Sequence, residues 1–104
     1  MIIIAGKVYV APERRDEYVA SFKEFVRRTR NEPGLLDFVI AADNIEDNRV
    51  NIFELWESKE QLDEFRARAQ TPANTIEMLN EDVKKYAISS SGPPFPLPKF
   101  THKQ

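Results

Sequence analysis

Three runs in this chain, residues 2–10, 35–42 and 49–57, are apolar on both of their alternating faces. A sheet built from such runs cannot leave either side bare to water. In the first run Ile2, Ile4 and Val8 alternate with Ile3, Ala5 and Tyr9. In the third, Val50, Ile52, Glu54 and Trp56 point one way and Asn51, Phe53 and Leu55 the other. Whatever the fold, two layers must cover this sheet.

One layer is supplied by the helical segments. Ala11-Pro12 ends the first run, proline suits a first helical turn, and Glu13, Asp16 and Glu17 lie at the positive end of the helix dipole. Tyr18, Phe22, Phe25 and Thr29, joined by Val19 and Val26, then recur at helical spacing. Arg27, Arg28 and Arg30 close that helix and Glu32-Pro33-Gly34 stops it. A polar turn at 43–48 joins the second and third strands. Ser58-Lys59-Glu60-Gln61 is a capping-box pattern that opens another helix, with Leu62, Phe65 and Ala69 inward, until Thr71-Pro72 interrupts it. Ile76, Leu79 and Val83, at i, i+3 and i+7, predict a further short helical piece, and residues 84–89 a last strand.

The order strand–helix–strand, twice over, predicts an α+β fold: a ferredoxin-like βαββαβ unit with an antiparallel sheet. Right-handed crossovers place both helices on one sheet face, so the chain has nothing of its own for the other. About six apolar side chains there, at roughly 2 kcal/mol each, would contribute about 12 kcal/mol per subunit when covered. Association costs roughly 4–15 kcal/mol once for the pair. The expectation is a homodimer formed through the sheet face. Residues 1–90 form the domain, and residues 91–104 form a proline-rich tail with four prolines between positions 93 and 98. Such a tail is extended, with Phe95 and Phe100 expected to dock as apolar anchors; the alternative to the homodimer is a monomer whose open sheet face is covered by Phe95, Leu97 and Phe100.

Composition narrows the function. A chain of 104 residues has room for one domain, and a net charge of −2 disfavours nucleic acid and anionic membrane as partners. Without cysteine there are no disulfides, thiolate metal sites or thiol nucleophiles. The apolar start is five residues long with no basic stretch before it, so neither a signal peptide nor a membrane span is expected and the default location is the cytoplasm. No phosphate-binding loop, dinucleotide fingerprint or catalytic triad pattern is present.

An apolar first strand running into a proline, a helix ending Glu32-Pro33-Gly34, and Phe53-Glu54-Leu55-Trp56-Glu57-Ser58 followed by Leu62-Asp63 resemble the antibiotic biosynthesis monooxygenase family over residues 1–88. The resemblance implies a dimeric α+β barrel with a pocket between sheet and helices in each subunit. It also implies oxygenation of electron-rich quinols, anthrones or related phenols by O2, with no metal, flavin or other cofactor. The chain departs from its relatives at informative places. Phe65 stands where many have a histidine one turn into the second helix, and Ile52 where some anthrone-oxidising members have asparagine. The haem-degrading branch has an asparagine where this chain has Gly6-Lys7, and a tryptophan and a histidine where it has Phe65 and the Thr75 region. The sole histidine, His102, falls in the tail.

Oxygenating a phenol needs a base or anion stabiliser and an apolar pocket that keeps water out. Glu54 is the candidate base; its alternative is a carboxylate paired with a cation at the sheet rim. Trp56, on the same face, reads as a pocket wall stacking on an aromatic ligand, or as an ordinary core tryptophan. Phe22, Phe25, Phe38 and Phe65 are candidates to line the substrate cavity, and Tyr86 to donate a hydrogen bond to a phenolate. A non-catalytic, ligand-binding or stress-related dimer of the same fold is the competing reading, and the absent helical histidine allows it.

Overall fold

The computed structural model describes residues 1–95 and contains four strands and three α-helices. Strand β1 is Ile2–Tyr9, β2 Leu35–Ala42, β3 Arg49–Trp56 and β4 Asn80–Ala87. A single 3-10 turn, Pro12–Arg14, leads into α1 (Arg15–Ser21) and α2 (Lys23–Thr29), and α3 is Lys59–Arg68. The sheet order is β2-β3-β1-β4 with every neighbouring pair antiparallel. This is the α+β ferredoxin-like arrangement expected from the strand and helix order. Anchors Leu97 and Phe100, and His102, lie outside the described residues.

The first helical stretch is interrupted at Phe22 where a continuous helix is expected. Ser21 Oγ donates to the carbonyl of Tyr18 at 2.6 Å, a back-bond that competes with the helical ladder. The next amide, Phe22 N–H, bonds to Val19 O, and helical bonding resumes when Val26 N–H reaches Phe22 O. Phe22 therefore sits on the joint between α1 and α2. Gly34 ends the stretch at φ +85°, and a Cβ there would lie 2.2 Å from the Gln61 side chain.

The short helical piece expected around Ile76, Leu79 and Val83 does not form. Residues 69–79 run as an irregular strap, and Val83 belongs to β4, paired with Gly6. The spacing of Leu79 and Val83 is a multiple of two as well as close to one helical turn, so it fits a strand equally. The strand has the advantage of an eight-pair ladder with β1, whereas so short a helix is marginal in water. The final strand accordingly begins at Asn80 and not at Lys84. Ile76 is buried all the same, in the strap, and Leu79 N–H bonds to Tyr9 O.

Strand parity sorts the sheet into two faces. Ile2, Ile4, Val8, Val50 and Trp56 are buried beneath the helices and the strap. They form two clusters, Val8, Val10, Tyr18, Val50 and Ile76 at one end and Ile2, Ile4, Trp56 and Leu62 at the other. Ile3, Ala5, Phe53 and Leu55 are only half-buried on the opposite face.

Candidate functional site

Between the two clusters the covered face is not filled. A cavity of about 290 Å³ opens there, lined by Phe22, Phe25, Phe38, Ile40, Ile52, Glu54, Phe65, Arg66, Ala69 and Thr71. Its size falls near the lower end of the ~300–1,000 Å³ usual for small-molecule sites. The sheet supplies the floor: Glu54 stands opposite Phe38 on β2 and Ile4 on β1, with Ile52 opposite Ile40. The roof comes from the α1–α2 joint and the inward face of α3. That face exists because Ser58 caps the helix, its Oγ accepting from Gln61 N–H, which sets the rotation that turns Leu62 and Phe65 inward.

The walls are aromatic rings in edge and tilted contact. Phe25 meets Phe38 edge-on at 5.9 Å, Phe65 at 6.2 Å and Phe22 at 6.3 Å between centroids. Behind this wall Arg28 and Arg68 lie over the faces of Phe25 and Phe65, each 5.9 Å from the ring centre. Arg68 also pairs with Glu32, tying the end of α3 to the turn after α2; its hydrogen bond holds the Glu32 carboxyl below the usual carboxylate range.

Of the residues expected at the site, Glu54, Phe22, Phe25, Phe38 and Phe65 come together around this cavity. Trp56 stands one layer further in. It is fully buried, its ring is covered by Phe65 at 5.3 Å, and it does not form part of the cavity wall. Its contribution is the indole N–H, which donates to Glu54 Oε1 at 2.9 Å and fixes the carboxylate's direction. Glu54 makes no ion pair among the described residues, so the rim-paired alternative does not apply to it. Tyr86 is not with the others. It lies opposite Ile3 on the far side of the sheet, near Lys7, Arg49, Asn51, Asp82 and Lys84. The sequence places it on the last strand, but alternation there is too weak to fix which face it takes.

Two polar groups of the lining, Arg66 and Thr71, escaped sequence reasoning. Arg66 follows Leu62 by four residues and so belongs to the same side of α3, but a charged residue in a surface helix carries no signal of its own. Thr71 lies in the strap just beyond the end of α3, where a sequence reads Thr71-Pro72 as an interruption and not as a wall. Chemically the arrangement is an apolar, aromatic chamber with one oriented carboxylate at its floor and a cation at its exposed rim. Among the described residues no group of three or more acidic, histidine or cysteine side chains could hold a metal. No described helix is long and apolar enough to cross a membrane.

Comparison with known proteins places this geometry. The profile of the antibiotic biosynthesis monooxygenase family matches residues 1–73. An uncharacterised protein of Synechocystis sp. is 34% identical over 62 residues, which is 60% of this chain and 42% of that protein. The chain thus spans well under half the length of that curated relative. Among solved structures, the haem degrader MhuD of Mycobacterium tuberculosis, with two haems in its active site, superposes with a TM-score of 0.65. It is 17% identical, and the match covers 89% of this chain and all of that one. A conserved protein of unknown function from Bacteroides thetaiotaomicron gives a TM-score of 0.66 at 18% identity, covering 82% of this chain and 94% of its own. At these identities the likeness is one of fold.

Proposed function

Because the chain belongs to the antibiotic biosynthesis monooxygenase family, we propose that it oxygenates a small aromatic quinol or anthrone-type phenol with O2 in the cavity beneath α3. The observation that carries this reading is the Glu54 carboxylate, held by the Trp56 indole N–H in a chamber otherwise walled mainly by phenylalanine and isoleucine. Glu54 is the general base. It takes the proton from the substrate, and the electron-rich carbanion that results passes an electron to O2. Recombination forms the new C–O bond as a peroxide anion, which takes the proton back from Glu54; the hydroperoxide then loses its outer oxygen and the remaining proton on that carbon as water, leaving a carbonyl on the ring. The electrons come from the substrate, so the scheme uses no metal and no flavin. Trp56 is a positioning residue, and the four phenylalanines hold the ring and exclude water.

Haem is a poor fit as substrate. The lining offers one carboxylate and one hydroxyl as oxygen donors, and Phe65 occupies the helical position where a nitrogen ligand could sit. The same Phe65 favours a second reading, in which the cavity binds an aromatic ligand without turning it over. In either case the protein works as a homodimer, the partner's sheet covering Ile3, Ala5, Phe53 and Leu55.

Oxygen uptake by chelator-treated protein over a panel of quinols and anthrones tests the proposal. Protein-dependent uptake is expected, falling about 10²–10⁴-fold in Glu54→Gln, the usual worth of a general base. Binding that alters Trp56 fluorescence without any uptake would transfer the site to the second reading.

A further inference from the structure

We propose a second ligand site, for an aromatic carboxylate or sulfonate, in the open groove on the outer side of the α1–α2 joint. The groove is larger than the inner cavity, about 420 Å³, and is lined by Val19, Ala20, Phe22, Lys23, Val26, Arg27, Arg30, Val39 and Ile40. Its floor is aliphatic and half-buried: Val19 and Val26 from the helices and Ile40 from the edge strand β2, with Val39, whose parity is that of the open face, only at the margin. Its rim is cationic. Lys23 makes no ion pair among the described residues. Arg27 pairs with Glu24 one helical turn back. Arg30 is anchored by a neutral acceptor, its Nε and Nη2 donating to the Phe38 carbonyl at 2.9 and 2.7 Å, so its charge is oriented but not cancelled. Three cations against one carboxylate leave the rim net positive over an apolar bed.

That combination selects a flat apolar body with an anionic end. A further β-strand is disfavoured as occupant, because Phe38 has both backbone groups engaged, its N–H by the Asp37 carboxylate and its carbonyl by Arg30. The chain's own proline-rich segment has the wrong sign: residues 91–104 contain Lys99 and Lys103 and no acidic residue. The groove and the inner cavity share Phe22 and Ile40 as a common wall. The groove site stands without the oxygenase reading, since none of its cations lines the inner cavity.

The test uses 8-anilinonaphthalene-1-sulfonate, an aromatic sulfonate whose own fluorescence reports binding, on the full chain. One saturable site per chain is expected, weakened roughly fivefold in Lys23→Gln/Arg27→Gln, as two exposed charge contacts allow. Raising salt weakens it further, because these charges are screened over ~10 Å at 0.1 M. Ala20→Phe, which fills the groove from an exposed helical position, abolishes it, whereas Glu54→Gln leaves it unchanged. Unchanged affinity in both groove variants, or loss in Glu54→Gln, overturns the assignment. The readout is independent of oxygen uptake, so failure of the oxygenase reading leaves this result standing.

Discussion

The two faces of the sheet are built from the same strands, one residue out of step, and they solve different problems. On the covered face Val8, Val50 and Trp56 are essentially without solvent contact, and the cavity left between the two clusters is walled by aromatic rings. On the open face Ile3, Ala5, Phe53 and Leu55 remain half-exposed, and beside them lies a polar field of Lys7, Arg49, Asn51, Asp82, Lys84 and Tyr86. One face is finished by its own chain; the other is left half-exposed, and in the proposed homodimer a partner covers it. The difference teaches that buried area within this chain is concentrated around the candidate cavity, so folding and assembly of that cavity are one event on that side.

The strongest way to break the comparison is to empty the covered face. Trp56→Ala removes the largest fully buried side chain and the donor that orients Glu54. The expected loss is about 3–5 kcal/mol of unfolding free energy, the range for removing a buried aromatic. It should be the same at every protein concentration, since the lost contacts lie within one subunit. Denaturant titration at two concentrations checks this; a cost that grows on dilution would mean that Trp56 serves the interface instead.

The complementary change on the open face is Phe53→Glu. In the proposed homodimer the two-fold axis buries this carboxylate twice without a partner, a cost of several kcal/mol. The dimer dissociation constant should rise about 100-fold or more, equivalent to about 2.7 kcal/mol. Subunit stability should change little, because Phe53 is only half-buried within its own chain. Sedimentation equilibrium reads both. An unaltered dimer would move the pairing surface away from this face, and an unfolded monomer would merge the two faces into a single cooperative core.

Much of this division was legible in the residues. Alternation in residues 2–10 and 49–57 marks both faces as apolar, and the aromatic stripe Tyr18-Phe22-Phe25 marks the helix that covers one of them. Glu54 and four phenylalanines could be assembled around a cavity for the same reason: each lies on an element with a clear period. The failures have physical causes. Ile76, Leu79 and Val83 suit a helix and a strand alike, and only the ladder with β1 decides between them. Trp56 could be grouped with Glu54 but not assigned to the covered face or to a depth, because period alone does not say which side the helices take, and whether Phe65 covers it depends on the rotation of α3 set by the Ser58 cap. Arg66 gave no signal, and Arg27 and Arg30 read as a solvated helix end and not an anion site, since an exposed arginine looks the same in sequence whether or not a cavity lies beside it.

The smallest expected effect concerns the hairpin after β2, where the two faces meet. Asp43 accepts from the backbone N–H groups of Glu46 and Ile45 and from the Asn51 side chain on the open face, with Arg49 nearby. From the covered side Arg15 donates to the carbonyls of Asp43, Glu46 and Arg49. The bond from Glu46 N–H, then those from Asn51 and Ile45, hold the Asp43 carboxyl down from its ordinary 3.8 to about 2. A depressed carboxyl stabilises the fold above its unfolded-state value, because the native chain then binds fewer protons than the unfolded one. The contribution is therefore complete near neutrality and is lost as pH falls from about 4 towards 2. Asp43→Asn should leave a shallower loss of stability across that window, with Glu32, Asp63 and Asp82, which are also lowered, accounting for part of what remains. Urea midpoints of the two proteins, compared through the acid range, read the difference directly. Parallel curves would show that the hairpin is held by Arg15 and the backbone alone, and that the junction of the two faces is indifferent to its own charge.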